Sequence, residues 1–134
     1  MNKFYSLRLL PNQDIKIEIQ NFCTLNDISA GCILSAVGSL NLVKLRLAGA
    51  EAFFESSQKF EIVSATGTIS KNGSHVHIAI ADERGNVVGG HLVNGNIIYT
   101  TCELVMLSLG HQEFKREFDP ATGFNELTAY LMKS

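Results

Sequence analysis

No apolar run in this 134-residue chain is long enough to cross a bilayer; the longest are short and broken by polar residues. Basic residues are sparse. Eleven Lys and Arg stand against thirteen Asp and Glu, for a formal net charge of −2. The cations are spread thinly rather than gathered into the basic patch that a DNA binder normally shows. The three cysteines, Cys23, Cys32 and Cys102, are scattered and form no C-x-x-C. They fit reduced, mostly buried thiols in a cytoplasmic protein. The opening Met1–Ser6 has no apolar core followed by a small-residue cleavage site, so no signal peptide is read. G-x-S-x-G and a phosphate-cradling glycine loop are missing and no Ser-His-Asp order stands out, so the commonest hydrolase and nucleotide-binding readings find no support.

What remains is a globular composition, 46% hydrophobic and 18% charged, and a length that buries a full core as one domain, residues 1–134. Phe4 to Leu10 alternates as a first strand. Pro11-Asn12-Gln13-Asp14 is a turn ending on a helix N-cap, and Ile15, Ile19, Phe22 and Cys23 follow at helical spacing. Cys32 to Ala48 reads as two strand segments bent at Gly38-Ser39. Gly49 to Lys59 reads as a loop with a short edge strand, and Phe60 to Ser70 as a strand in which Gly67 marks a close backbone approach. Asn94-Gly95-Asn96 is expected to be a hairpin turn into a long strand, Ile97 to Leu109. The tail holds a turn at Asp119–Gly123 and ends in a short amphipathic stretch, Leu127 to Met132. One helix among hairpin-connected strands predicts an α+β domain.

The informative stretch is Asn72 to Asn94, which carries three of the four histidines. In its first arm Val76, Ile78 and Ile80 point to one side and His75 and His77 to the other, the period of a half-buried strand. A three-residue loop, Glu83-Arg84-Gly85, makes Asp82 face Asn86. Counting back from there sets His77 opposite His91. Opposed residues have Cβ atoms roughly 4.5–5.5 Å apart, so His75, His77 and His91 converge on one patch of sheet. Neutral imidazoles at this spacing suit a divalent metal, zinc above all. Three protein ligands leave a position open for water or a small molecule.

Two carboxylates are candidates to complete such a site, Glu103 and Glu61. If Asn94–Asn96 is a three-residue loop, Glu103 shares the His91 face; a two-residue turn sends it to the other side. Arg46 and Arg116 sit among strand residues, where an Arg usually lays its stem on apolar surface. The other reading of the pair is anion binding near the histidines. His111 is read as a surface residue.

The succession F-E-I-V-S-A-T-G-T-I-S, H-V-H-I-A-I-A-D-E-R-G-N-V-V-G-G-H-L, T-T-C-E-L and F-K-R-E-F-D-P-A-T-G-F-N-E-L, preceded by Ala36-Val37-Gly38-Ser39-Leu40, resembles the plants and prokaryotes conserved (PPC) domain. The resemblance covers nearly the whole chain. It implies an antiparallel-rich sheet packed against one main helix, a homotrimer, and a metal at His75, His77 and His91. It also implies a regulatory or DNA-binding role, as described for members that stand alone in prokaryotes, although this sequence holds no R-G-R-P core of the kind that grips DNA in plant relatives. PPC domains are similar to the acetolactate decarboxylase superfamily, which binds zinc through a comparable H-x-H plus His set. From that likeness comes a second expectation, a zinc-dependent enzyme acting on a small carbonyl substrate.

Overall fold

The computed structural model describes residues 1–133. The chain runs β1 (Lys3–Leu9), α1 (Ile15–Leu25), β2 (Gly31–Arg46), β3 (Phe53–Ser56), β4 (Phe60–Ser70), β5 (Gly73–Ala81), β6 (Val87–Leu92), β7 (Ile97–Ser108), β8 (Gln112–Asp119) and β9 (Phe124–Leu131). The first seven strands form one antiparallel sheet and β8 and β9 a second, two-stranded one. The expected α+β class therefore holds only loosely: the domain is strand-dominated, with a single helix among the described residues.

β2 is the spine. It is one 16-residue strand with register irregularities where two bent segments were expected. β4 and β3 follow one another along one part of its pairing, β7 and β6 along the other. β5 then pairs with both β4 and β6. The order β2-β4-β5-β6 thus returns to β2, where Leu45 and Arg46 meet Leu92 and His91. The sheet curls on itself.

Inward-facing side chains fill that curl. Val76, Ile78 and Ile80 of β5, Leu45 of β2, Leu92 of β6 and Ile98, Leu104 and Met106 of β7 are all buried. The helix covers the core with Ile15, Ile19 and Cys23, while Ile17 lies off the buried stripe and stays exposed. Asp14 caps it: Oδ1 accepts from the N–H groups of Lys16 (3.0 Å) and Ile17 (3.2 Å). Its second oxygen accepts from Gly95 N at 2.7 Å, tying the helix start to the segment that leads into β7.

Two expectations need correction. Asn94–Asn96 is not a hairpin turn, because β6 and β7 do not pair with each other but dock in succession on β2. The reason is Asn96, fully buried, whose side chain accepts from Lys44 N (3.0 Å) and donates to Lys44 O and Val93 O (both 2.8 Å). These bonds hold the segment to β2 and prevent it from folding back. The tail is not a short stretch but a full hairpin, with β8 and β9 in register from Gln112–Leu131 to Asp119–Phe124. Phe114 anchors it, buried, with its N–H on Ser29 O (2.9 Å) and its carbonyl accepting from Asn72 Nδ2 (2.9 Å).

Candidate metal centre

The histidine arms meet as counting requires. Asp82 N donates to Asn86 O at 2.9 Å, and Asp82 Oδ1 accepts from Arg84 N and Asn86 N, both at 2.9 Å. These contacts hold the Asp82 carboxyl below the usual carboxylate range, the Asn86 N–H foremost, with Arg84 N and the Asn86 amide adding to it. The loop so fixed pairs Ala81 with Val87 and, four positions on, His77 with His91.

Because cross-strand partners share a face, the register builds a row across four strands. Thr66 of β4 faces His77 of β5, His77 faces His91 of β6, and His91 faces Arg46 of β2. His75 sits two residues from His77 on the same side, opposite Thr68. This is the side away from the packed Val76, Ile78 and Ile80. Ring centroids lie 4.9 Å apart for His75–His77 and His75–His91, and 5.8 Å for His77–His91.

One ligand atom from each ring falls within 4.8 Å of the other two, and the Nε2 atoms of His75 and His77 are 3.1 Å apart. Around a tetrahedral zinc with Zn–N of about 2.0–2.1 Å, ligand nitrogens sit roughly 3.3–3.4 Å apart. One pair is already close to that spacing. The third ring needs a shift on the order of an ångström, within reach of side-chain rotation.

The electrostatics favour the neutral, metal-binding form. Burial above all lowers the His91 pKa to about 4, with the positive charge of Arg46 next. Burial again, then His77 and Arg116, lowers that of His75. The Nδ1 atom of His91 is buried and finds no hydrogen-bond partner among the described residues. A buried polar atom left so costs about 1–3 kcal/mol, and a metal or its bound water would satisfy it. The residues present fit the ion.

The cluster opens into a cavity of about 740 Å³, within the range of small-molecule sites. Its walls come from three places: the end of β2 with the following loop, the histidine arms, and the β8–β9 hairpin with Arg116, Phe124 and Glu126. Gly89 and Gly90 line it as well. A Cβ on Gly90 would lie 2.8 Å from Arg46 O, so that position admits only glycine without a backbone shift.

Neither sequence-selected carboxylate lines this cavity. Glu103 faces Arg8 across β1 and β7 and accepts from the Thr101 hydroxyl at 3.3 Å. Glu61 pairs with Ser39 and Ala81, away from the rings. The carboxylate at the wall is Glu126, exposed on β9. Sequence reasoning missed it because the tail was not read as a hairpin; the pairing of F-K-R-E-F with F-N-E-L across the Asp119–Gly123 turn was the available signal. Arg46 and Arg116 both line the cavity, and His111 is exposed outside it.

Fold and cluster together define a strand-built domain with a candidate three-histidine metal centre on a curled antiparallel sheet. The chain belongs to the Plants and Prokaryotes Conserved (PCC) domain family, whose model matches residues 1–110. It is 44% identical over 125 residues to the bifunctional protein GlmU of a Synechococcus strain, a match covering 93% of this chain and 20% of that protein. The chain thus spans about a fifth of the length of the curated relatives it matches. A hypothetical protein from Salmonella enterica superposes with a TM-score of 0.94 at 37% identity, covering 98% of this chain and 95% of the other. A metal-containing protein from Archaeoglobus fulgidus follows at TM-score 0.82 and 28% identity, covering 94% and 93%. No helix among the described residues is long and apolar enough to cross a membrane.

Proposed function

We propose that this domain is a cytoplasmic, homotrimeric divalent-metal module, with zinc held by His75, His77 and His91 and a coordination position open to a small oxygen-bearing molecule. The observation that carries the reading is the convergence of three ring nitrogens within 4.8 Å on a cavity wall, one ring bearing a buried Nδ1 without a partner. The metal-containing relative from Archaeoglobus fulgidus supports it. A bound metal would polarise a carbonyl or lower the pKa of a water. Around it the chain's own residues would orient the ligand, and Glu126 on the cavity wall would accept a proton, the role expected of Glu103 or Glu61 from the sequence. Exposed Leu34 and Val37 on β2, Val63 on β4 and Val105 on β7 support assembly with further copies of the chain.

Elemental analysis of purified protein tests the centre. Near-stoichiometric metal in the wild type and its loss in His77→Ala are expected. A wild type that stays metal-free after dialysis against zinc overturns the reading.

A second reading, a DNA-binding or regulatory trimer, rests on the family resemblance. Mobility of random duplex DNA, titrated with salt, examines it: absence of salt-dependent binding at micromolar protein removes it.

A further inference from the structure

The cavity over the histidines is electropositive before any ion is considered. Its charged walls are Arg46, Arg116 and Glu126, so guanidinium groups outnumber carboxylates two to one. Neither Arg is neutralised: among the described residues the ion pairs within 4.0 Å are Lys44–Glu55, Lys71–Asp27 and Lys115–Glu113. Among the described residues Arg46 makes no side-chain hydrogen bond either.

Each Arg is positioned through a neighbour of a histidine. Arg46 is the cross-strand partner of His91. Arg116 comes from the hairpin instead and donates from Nη2 to Thr68 Oγ1 at 2.8 Å; Thr68 is the cross-strand partner of His75. The stem of Arg116 passes over Gly73, where a Cβ would lie 3.7 Å from its Cγ. Among the described residues Thr68 takes one donor of the guanidinium, which leaves the remaining N–H groups to a ligand. Both Arg residues are partly buried, which strengthens a charge-assisted hydrogen bond relative to the open surface.

We propose that the ligand of this site is a small oxyanion, with carboxylate or phosphate oxygens gripped by Arg46 from β2 and Arg116 from the β8–β9 hairpin, on either side of the three imidazoles. This deepens the metal reading and rests on it only for the ligand's further oxygen, which the ion would take. Anion capture by the two guanidinium groups stands without the ion. The hairpin becomes the selecting wall, since it brings both Arg116 and the opposing carboxylate of Glu126.

The test is calorimetric titration of the zinc-loaded protein with lactate, with inorganic phosphate and with uncharged propane-1,2-diol. Metal content and thermal midpoint are measured on the same samples. Arg46→Gln and Arg116→Gln are expected to weaken at least one anion about tenfold or more, with zinc unchanged and no effect on the diol. Arg84→Gln, in the exposed loop after Asp82, should leave all three alone. Arg46→Lys and Arg116→Lys keep the charge and lose the fork, and should fall between wild type and Gln, which covers the case in which a Gln variant fails to fold. Whether lactate or phosphate shows the dependence identifies the head group. Zinc bound with anion affinity independent of both Arg residues overturns this inference alone. Arginine-dependent anion binding to a protein that takes no zinc upholds it and overturns the metal centre.

Discussion

Arg46 and His91 face one another across β2 and β6, and after burial the guanidinium is the largest cause of the imidazole's weakened hold on its proton. The same pair joins the ends of the curled sheet. A charge placed there acts on the His91 ring and on whatever enters the cavity.

Removing that charge while keeping the shape therefore raises the proton affinity of His91. In metal-free Arg46→Gln, imidazole NMR titration should show His91 moving up from about 4 toward its ordinary value. The shift is partial, because burial remains. Arg84→Gln should leave His91 where it is.

The depressed histidines set an acid limit on the metal-free protein. Burial lowers His91 to about 4 from 6.5, and His75 is lowered as well. Between those values the unfolded chain binds more protons than the folded one, so stability rises with pH through that window. It is fully present above about 6.5, the ordinary imidazole value, and is lost as pH falls toward 4. Urea midpoints should follow that course and flatten in His91→Gln.

Zinc held at the proposed centre would add stability by mass action. At free zinc one hundred times its dissociation constant the gain is about 2.7 kcal/mol. Thermal midpoints should rise with zinc, return with chelator, and not respond in His77→Ala.

Gly67 carries the His75 arm. A Cβ there would stand 2.3 Å from the carbonyl oxygen of His75 and 2.8 Å from the Val76 Cα. Gly67→Ala must shift β4 against β5. A destabilisation of about 1–3 kcal/mol is expected from such overpacking, with weaker zinc binding because His75 moves. Denaturant melts and zinc titration of the variant measure both.

Asn96→Ala should cost more than a surface change, since it strips backbone groups of Lys44 and Val93 of their partners. Each orphaned group costs about 1–3 kcal/mol. A midpoint within error of the wild type in urea melts would contradict the role assigned to this side chain.

The meeting of the three histidines was legible because its register depends on local chemistry. Asp82, Gly85 and Asn86 specify a three-residue loop, and from the loop the meeting of His77 with His91 is a matter of counting. The close approach at Gly67 was legible for a similar reason: strand glycines mark places where a side chain does not fit. The connection at Asn94–Asn96 was not, since N-G-N suits a hairpin as well as a docked segment. The choice was made by Lys44, some fifty residues away in the chain. Glu103 and Glu61 failed as cavity residues because a face is shared by the whole length of a curled sheet, and facing outward does not place a residue at the same spot. Glu126 depended on β8–β9 pairing and on Phe114 docking at Ser29 and Asn72. No periodicity within the tail reports those distant contacts.

The imidazoles stand on the curled sheet and the facing wall stands on a separate two-stranded ribbon fastened at Phe114. Changes in the ribbon can accumulate without disturbing the strand register that brings the three rings together. Such a division of labour would let the wall vary in what it admits while the three imidazoles keep their arrangement.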